Sequence, residues 1–419
     1  MTYSLKLKSD RVFYRGNFRE LEIGIRDGRI KRVGKDIENA EEKIDLEGKL
    51  ILPGIIDGHV HFRDPGEPEK EDFASGSRAA AAGGVTTVVD MPNNTPPIKS
   101  EELFERKKEL ARRKSLVNFA LYAGIPNNTD NVENLLEAGA IGFKYYMASE
   151  DVELSELYRE VDRLDALLTV HAELPGKIAS KETAEGPGSY LDTRPPGAEI
   201  EGVKRLIEEP PRRLHIAHVT LPETLSLTEG RATTEVTPHH LLLSREEVRL
   251  KDFTAVTHPP LRKRKAVAGL QELFLSNAID MLASDHAPHR REEKKTARPD
   301  KASPGIPGVE TILPLGLSFA SERGLPLSVP IKMLSEAPAR IFRFENRGRI
   351  KEDNWADITV VDPDSKREIS GSNFHSKAKV TPFEGMRTSY WPIMTVVNGE
   401  IVFRDQALTG VRAGRFLSP

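Results

Sequence analysis

Alternating apolar and polar residues mark short strands at both ends of the chain. Residues 21–25 and 29–33 alternate on either side of Asp27-Gly28, a dipeptide that favours a hairpin turn. Similar strand-like runs return near the C-terminus, in residues 356–361, 395–397 and 401–403. Strands at opposite ends of a chain can pair with each other when the middle of the chain forms an inserted domain. We therefore expect residues 1–50 and 355–419 to form one small β-sandwich domain.

Apolar runs and helical stretches alternate through the middle of the chain. The eight apolar runs are residues 52–61, 85–91, 118–123, 140–146, 167–171, 213–219, 232–236 and 278–283. Helical spacing of apolar residues separates most of them, in residues 101–114, 131–138, 154–164 and 263–273. A strand followed by a helix, repeated eight times, is typical of an α/β fold and in particular of a (β/α)8 TIM barrel. We place this barrel at residues 51–354. An open doubly wound sheet is the alternative, disfavoured because no Gly-x-Gly-x-x-Gly turn follows the first strand.

The composition excludes several classes of partner and of metal site. Lys and Arg number 61 and Asp and Glu 64, so the net charge is −3, and no basic stripe indicates a nucleic-acid partner. The chain has no cysteine, which excludes disulfides, thiolate metal ligands and a cysteine nucleophile. The N-terminus lacks the apolar core of a signal peptide, and no apolar run approaches the roughly 18 residues of a membrane span. We therefore expect a cytoplasmic protein with no membrane partner.

Two histidines that are two residues apart end the first predicted barrel strand. Side chains at i and i+2 of a strand share one face, so His59 and His61 point the same way, at the end where barrel active sites lie. Later predicted strands also end in ligand-competent groups, namely His171, His218 and Asp285. His215 precedes His218 by three residues, so we expect it to face away and to have a structural role. The five strand-end groups predict a metal site.

The number of candidate ligands suits two metal ions better than one. A lone catalytic zinc usually takes three protein ligands, and two ions about 3.5–4 Å apart need a bridging anion. Lys144 lies on the fourth predicted strand, where a buried ammonium among cations would be strongly destabilised. Reaction with CO2 would convert Lys144 into a carbamate that could bridge both ions. Asp151, a few residues later, is the rival bridge, and pairing of Lys144 with a carboxylate is the structural alternative.

Five segments of the chain carry distinctive motifs. They are DGHVHFRDPG at residues 57–66, MPNNTPP at 91–97, SDHAPH at 284–289, PGVET at 307–311 and SKAKVTPFEG at 376–385. Together they resemble the dihydroorotases, class I cyclic amidohydrolases of the amidohydrolase superfamily, and the matches span nearly the whole chain. The resemblance implies a (β/α)8 barrel with a small β-sandwich built from both termini. It also implies reversible cyclisation of N-carbamoyl-L-aspartate to L-dihydroorotate, the third step of pyrimidine biosynthesis.

The resemblance also assigns the candidate ligands to metal ions. It implies two zinc ions per subunit, with His59, His61 and Asp285 on one ion and His171 and His218 on the other. Lys144 matches the carboxylated lysine that bridges the ions in dihydroorotases of the animal type and in hydantoinases. Many bacterial members of the subgroup use an Asp just after that point, so Asp151 stays open as the bridge. Asp285 would in addition be the catalytic residue that carries the proton.

Substrate contacts follow from the same resemblance. Arg63 and Asn93 match residues that hold the free carboxylate of the substrate, together with His289. A planar guanidinium suits this role because it binds a carboxylate through two parallel hydrogen bonds. Gly308 lies in a loop whose backbone meets the substrate ring in relatives. His258 stands where the family often has a substrate-binding Asn, so its contact with substrate stays open.

Other functions share part of this pattern. Allantoinases and dihydropyrimidinases or hydantoinases would share the metal site, but their substrates lack the free carboxylate that Arg63 and His289 would hold. A non-catalytic scaffold with the same fold is disfavoured because such proteins typically lose metal ligands, and this chain has them all. Two protein partners also stay open: a second copy of the chain in a homo-oligomer, and aspartate transcarbamoylase.

Overall fold

The strands run from one end of the chain to the other. The structure is a computed structural model that describes residues 2–128, 131–150, 152–247, 252–296 and 298–419. Its strands are β1 (Tyr3–Tyr14), β2 (Asn17–Arg26), β3 (Arg29–Gly34), β4 (Ala40–Asp45), β5 (Leu50–Pro53), β6 (Ile55–Val60), β7 (Val85–Asp90), β8 (Asn118–Leu121), β9 (Ala123–Gly124), β10 (Phe143–Tyr146), β11 (Leu168–His171), β12 (Leu214–Ile216), β13 (Thr233–Val236), β14 (Met281–Leu282), β15 (Ile358–Asp362), β16 (Arg367–Glu368), β17 (Arg387–Thr388), β18 (Trp391–Val397), β19 (Glu400–Arg404) and β20 (Ala407–Leu408).

The α-helices of the described residues lie in the middle of the chain, between β6 and β15. They are α1 (Phe73–Ala82), α2 (Glu101–Lys114), α3 (Asn131–Glu137), α4 (Leu154–Arg163), α5 (Pro187–Asp192), α6 (Pro196–Leu206), α7 (Pro222–Thr228), α8 (Pro238–Leu242), α9 (Arg264–Leu275), α10 (Arg291–Lys294), α11 (Ile312–Glu322), α12 (Ser328–Met333) and α13 (Glu336–Ile341). Among the residues described, no helix has the length and apolar character needed to cross a membrane.

Parallel strands close into a barrel in the middle of the chain. Strands β6, β7 and β8 form one parallel sheet, and β9 to β14 form another in sequence order. Only Tyr122 separates β8 from β9, so the two sheets continue into each other. A parallel bridge between Val60 and His286 joins the residues after β14 to β6 and closes the ring. The predicted (β/α)8 barrel is confirmed.

Helix α2 shows how the local sequence sets an element around this barrel. Ser100 caps its N-terminus with the side chain, and Glu101 and Glu102 occupy the first turn, while the last turn carries three basic residues. These charges oppose the helix dipole at each end. Phe104 and Ala111 lie on the buried face against the barrel. The observed bounds agree with the predicted stretch 101–114.

Strands from both ends of the chain share one sheet beside the barrel. Its order is β20-β19-β18-β15-β5-β1-β2-β3, with β4 also paired to β1. Strand β1 has an irregular register between Ser9 and Val12, and it pairs with β4 before this point and with β5 after it. Buried residues of both chain ends, among them Leu7, Ile23 and Val360, form a separate apolar cluster. The boundaries at residues 50 and 355 stay a prediction.

The predicted run 52–61 contains two strands rather than one. Strand β5 belongs to the terminal sheet, where it pairs with β15, whereas β6 belongs to the barrel. Gly54 separates them, and a Cβ at this position would lie 2.3 Å from Thr86 Oγ1 and 2.7 Å from Asp357 Cβ. The chain therefore passes from the sheet into the barrel at a point where only glycine fits. This passage brings β6 to the barrel with its C-terminal end at the candidate metal site.

Candidate metal centre and substrate cavity

The two histidines at the end of β6 meet Asp285 across the barrel. His61 Nε2 lies 3.0 Å and His59 Nε2 lies 3.4 Å from Asp285 Oδ1. All three side chains are buried, and one ligand atom from each lies within 4.8 Å of the others. Two imidazoles and a carboxylate that converge in this way could hold a divalent metal ion with a coordination position left open. The structure therefore brings together the three residues that the sequence assigns to one ion.

The other two candidate histidines lie directly beside this group. His171 ends β11, and its Nδ1 lies 3.1 Å from Nε2 of His218, which follows β12 by two residues. The ring centroids of His59 and His218 are 5.3 Å apart. Nitrogens from His171 and His218 thus converge next to the first three ligand atoms. This donor set of imidazoles and a carboxylate fits zinc.

Three of the four histidines have a hydrogen-bond acceptor on the ring nitrogen that faces away from the centre. The pairs are His59 Nδ1 with Glu235, His61 Nδ1 with Asn93 Oδ1 at 2.6 Å, and His171 Nε2 with Glu173 Oε2 at 2.6 Å. When the outer N–H donates to such an acceptor, the other nitrogen presents its lone pair inward. Partners of this kind fix the tautomer and orientation of metal-binding histidines. The outer contacts therefore orient these three rings for metal ligation.

The protonation states also suit ligation. Burial would raise the pKa of Asp285, but His59 and His61 outweigh it and hold that pKa well below its usual range. Burial lowers the pKa of His61 to about 4 and also lowers the pKa values of His171 and His218. At neutral pH the carboxylate is therefore ionised and these rings are neutral, which are the forms that bind metal.

Lys144 lies on β10 with its side chain fully buried. Among the described residues its Nζ has neither a hydrogen-bond acceptor nor a carboxylate partner, and it lies 5.2 Å from the centroid of the Tyr146 ring. Burial lowers the pKa of Lys144 to about 8. The alternative in which Lys144 pairs with a carboxylate is thus not observed among the residues described. Asp151, the rival bridge, lies outside the described residues.

A cavity of about 370 Å³ opens directly above the four histidines and Asp285. Its lining contains His59, His61, Arg63, Asn93, Tyr146, Ala148, Ser149, His171, Arg194, His218, Thr257, His258, Asp285, Ala287, His289, Ser303, Pro304 and Gly305. Its volume suits a small organic substrate. A larger cavity of about 650 Å³ lies at the opposite end of the strands, but none of the candidate site residues lines it. The smaller cavity is therefore the candidate substrate site.

A partly buried cation faces this cavity beside the histidine cluster. Arg63 Nη2 lies 3.2 Å from His289 Nε2, and Arg63 Nε is buried with no partner among the described residues. Burial lowers the pKa of Arg63, since the charged form loses part of its hydration. A guanidinium that lacks a full set of acceptors is ready to bind an anion. Asn93 also lines the cavity, where its amide oxygen faces His61.

Two of the expected substrate contacts differ in their placement. His258 lines the cavity and stacks on Tyr190, with ring centroids 5.8 Å apart and planes at 12°, and its Nε2 has no partner among the described residues. Gly308 does not line the cavity, and its N–H donates to His286 Nδ1 at 3.2 Å. His215 Nε2 lies 3.2 Å from Glu235 Oε2, and the other oxygen of this carboxylate contacts His59, so His215 lies behind the centre and supports it through Glu235. The substrate roles of His258 and Gly308 stay predictions.

Sequence reasoning missed four ionisable residues of the site. They are Tyr146, Glu173, Arg194 and Glu235. Glu173 and Tyr146 each lie two residues after a residue that the sequence singled out, so strand periodicity could have found both. Glu235 is a carboxylate inside an apolar strand, which is itself an unusual pattern. Arg194, which forms an ion pair with Glu173, carries no such signal.

Comparisons with known proteins agree with this geometry. The amidohydrolase family profile matches residues 50–402. A dihydroorotase from Methanothermobacter thermautotrophicus is 41% identical over 92% of this chain and 91% of its own. An allantoinase from Rubrobacter xylanophilus is 35% identical over 97% of this chain and 95% of its own.

Solved structures extend the likeness to the whole fold. An L-hydantoinase from Arthrobacter aurescens shares 28% identity and superimposes with a TM-score of 0.94 over 100% of both chains. A dihydropyrimidinase from Brevibacillus agri shares 25% identity with a TM-score of 0.90 over 98% of both chains. Because the family profile covers most of the chain and the relatives match over nine-tenths of their lengths, the chain belongs to the amidohydrolase family.

Proposed function

We propose that this protein is a dihydroorotase, which interconverts N-carbamoyl-L-aspartate and L-dihydroorotate in pyrimidine biosynthesis. The observation that carries the proposal is the place of Arg63 and His289, which line the same cavity as the cluster of His59, His61 and Asp285. Dihydroorotate combines a cyclic amide with a free carboxylate, and the cavity pairs a hydrolytic centre with a cation. Several archaeal relatives carry the same name, at 34–41% identity.

We assign two zinc ions to the centre. His59, His61 and Asp285 would hold one and His171 and His218 the other, with carboxylated Lys144 between them. Lys144 supports this role because its buried amine lacks a partner among the described residues and has a pKa lowered to about 8, which favours the neutral form that reacts with CO2. When bound, the zinc ions polarise the amide carbonyl and lower the pKa of a water molecule toward neutrality.

The residues of the chain supply orientation and proton transfer. Arg63, His289 and Asn93 hold the carboxylate, which fixes the ring so that the amide carbonyl faces the histidine cluster. In hydrolysis Asp285 accepts the proton of the attacking water on its carboxylate and delivers it to the departing amide nitrogen. In cyclisation the carbamoyl nitrogen forms a bond to the carbon of the side-chain carboxylate. Asp285 takes the proton from this nitrogen and passes it to the carboxylate oxygen that departs as water. The depressed pKa of Asp285 keeps its carboxylate ionised before the reaction.

The reaction itself tests the proposal. Zinc-loaded protein incubated with L-dihydroorotate should form N-carbamoyl-L-aspartate, and N-carbamoyl-L-aspartate at lower pH should form L-dihydroorotate. Removal of metal with a chelator should abolish both reactions, and added zinc should restore them. Turnover of allantoin without any turnover of dihydroorotate would refute the proposal. A protein that binds no metal would instead favour the non-catalytic scaffold.

Allantoinase and hydantoinase are the competing functions. They are favoured by an allantoinase relative at 35% identity and by solved neighbours that are hydantoinases and dihydropyrimidinases. Arg63 and His289 argue against them, because allantoin, hydantoins and dihydrouracil carry no carboxylate for the partly buried Arg63 guanidinium. Homo-oligomer formation, association with aspartate transcarbamoylase and a cytoplasmic location stay predictions.

A further inference from the structure

A buried lysine that the proposed mechanism does not use lies next to the substrate cavity. Lys294 is the last residue of α10 and is 1% exposed. Among the residues described, no carboxylate forms an ion pair with it. The carboxylates that act on it electrostatically bind other cations, since Asp252 pairs with Lys295 at 3.0 Å and Glu293 pairs with Lys70 at 3.2 Å. A buried amine without a counterion is costly, so its contacts need an explanation.

The amine of Lys294 joins two loops that wall the cavity. Its Nζ donates to the carbonyl oxygens of Val256 and Ser303, each at 2.9 Å. The Val256 carbonyl also accepts from Gly305 N–H at 2.9 Å, so the two loops are tied at one point. Val256 directly precedes Thr257 and His258 in one wall, and Ser303 belongs to the other wall. Both walls of the cavity therefore depend on one side chain.

The contacts continue from these loops to the carboxylate site. Pro304, next to Ser303, has its carbonyl oxygen 2.9 Å from His289 Nε2. The same nitrogen lies 3.2 Å from Arg63 Nη2. A displacement of the Ser303 carbonyl would therefore also move the neighbouring Pro304 carbonyl, which orients the His289 ring. The His289 ring would then shift relative to the Arg63 guanidinium.

We propose that Lys294 is a positioning residue that sets the substrate carboxylate site, through the two loop carbonyls to which its amine donates. The inference rests on the proposed function, because it concerns the site for the dihydroorotate carboxylate. The two carbonyl acceptors match the two N–H groups of a neutral amine, and an ammonium can donate to both carbonyls as well. The contacts of Lys294 therefore form in both protonation states, and the effect of Lys294 on substrate binding should be the same across the pH range of activity.

Replacement of the amine tests the inference through substrate affinity. Lys294→Met should raise the KM for dihydroorotate about tenfold, as expected for a site that loses one well-placed hydrogen bond. The kcat and the zinc content should stay close to wild type, since Lys294 does not touch the histidine cluster. Lys295→Met is the matched control, because Lys295 is the exposed neighbour with its side chain 44% accessible, and its KM should not change.

Two further variants separate positioning from a general structural role. Lys294→Gln keeps two N–H donors on a shorter side chain, so its KM should lie between those of the wild type and Lys294→Met. If Lys294→Met does not fold, the KM of Lys294→Gln tests the inference in its place. In an Arg63→Ala background, Lys294→Met should raise the KM far less than it does alone, because both changes act on one site.

The possible failures are distinguishable. A wild-type enzyme that does not turn over dihydroorotate overturns the proposed function, and the inference with it. An active wild-type enzyme whose Lys294→Met variant folds and keeps the wild-type KM overturns the inference alone. An undiminished effect of Lys294→Met in the Arg63→Ala background would also contradict it.

Discussion

Three of the candidate site residues have left-handed backbone conformations. The φ angles are 58° at Arg63, 37° at His218 and 46° at Asp285. Residues with a Cβ adopt this region at a cost of order 1–2 kcal/mol each. All three follow the ends of barrel strands and line the cavity. The strained turns explain how side chains that follow three different barrel strands can point into one small cavity.

Arg63→Ala tests the carboxylate clamp. The change removes a charge-assisted bidentate contact, so the KM for dihydroorotate should rise about 100-fold while the zinc content stays the same. Steady-state kinetics and metal analysis check this result. Arg113→Ala is the control, because its side chain is 73% exposed and Glu109 is its one ion-pair partner within the described part of the chain. An unchanged KM in Arg63→Ala would refute the clamp.

Lys144→Ala tests the bridge. Loss of the carboxylated amine should abolish activity, and short carboxylic acids such as acetate should restore part of it by occupying the vacated space between the ions. The measurement is turnover of dihydroorotate as a function of added acid. Full activity without any acid would exclude a bridging Lys144 and leave Asp151 as the bridge.

The ligands could be predicted from the sequence, but the pairing of His59 with Glu235 could not. His59, His61 and Asp285 follow apolar strands, and the end of a strand determines where such a side chain lies. Glu235 contacts His59 because β13 lies near β6 in the closed barrel, although the two residues are 176 positions apart in the sequence. The spacing of apolar residues is a property of one strand, so it does not show which strands face each other.

Helix α2 is fastened to the barrel by a buried ion pair. Lys107 Nζ lies 2.5 Å from Asp90 Oδ2 at the end of β7, and it also donates to Met91 O at 2.6 Å. Asp90 Oδ1 accepts from Phe62 N–H at 2.7 Å, one residue from His61. Burial raises the pKa of Asp90 although Lys107 opposes the shift. The pair therefore connects an outer helix to the strand end that carries the metal ligands.

Lys107→Met should lower the free energy of unfolding by about 3–5 kcal/mol at pH 8, because it leaves a buried carboxylate unpaired. Without Lys107 the pKa of Asp90 rises further, so the protonated form is favoured in the folded state. The free energy of unfolding of the variant therefore falls as the pH rises, and its difference from wild type should be smaller at pH 5 than at pH 8. Urea unfolding at both pH values measures it. The double variant Asp90→Asn, Lys107→Met should recover part of the loss, and an equal deficit at both pH values would contradict the explanation.

Element bounds were predicted where periodicity changes and missed where it does not. The helices α2, α3, α4 and α9 lie within two residues of their predicted bounds. The run 52–61 contains Pro53-Gly54, a dipeptide typical of turns, but apolar residues continue on both sides of it. The spacing of apolar residues therefore does not show that the chain leaves the sheet at Gly54. The reason for that break lies in close contacts with Thr86 and Asp357, which are distant in sequence.

A buried polar network joins the barrel to the terminal sheet. Asp357, directly before β15, forms an ion pair with Arg347 and accepts from Asn398 N–H at 2.8 Å and from Asn118 Nδ2 at 3.2 Å. Asn118 begins β8 of the barrel, and Asn398 lies in the hairpin between β18 and β19. Because the network spans both parts, we expect them to unfold together.

Asp357→Ala should lower the free energy of unfolding by about 3–5 kcal/mol, because it leaves the Arg347 guanidinium buried and unpaired. Calorimetry of the wild type should show one transition, and the variant should show the same transition at a lower Tm. Asp353→Ala is the control, since this side chain is 81% exposed and its ion pair with Lys31 is worth little. Two separate transitions in the wild type would contradict the joint unfolding.

The most direct test of the central claim is a comparison of two substrates that differ only in the carboxylate. The measurement is kcat/KM of the zinc-loaded wild-type enzyme for L-dihydroorotate and for 5,6-dihydrouracil, which has the same ring without that group. We predict a preference for dihydroorotate of about 1,000-fold or more, as expected when a partly buried cation is left unpaired by the wrong substrate. Equal turnover of the two, or a preference for dihydrouracil, would contradict the assignment.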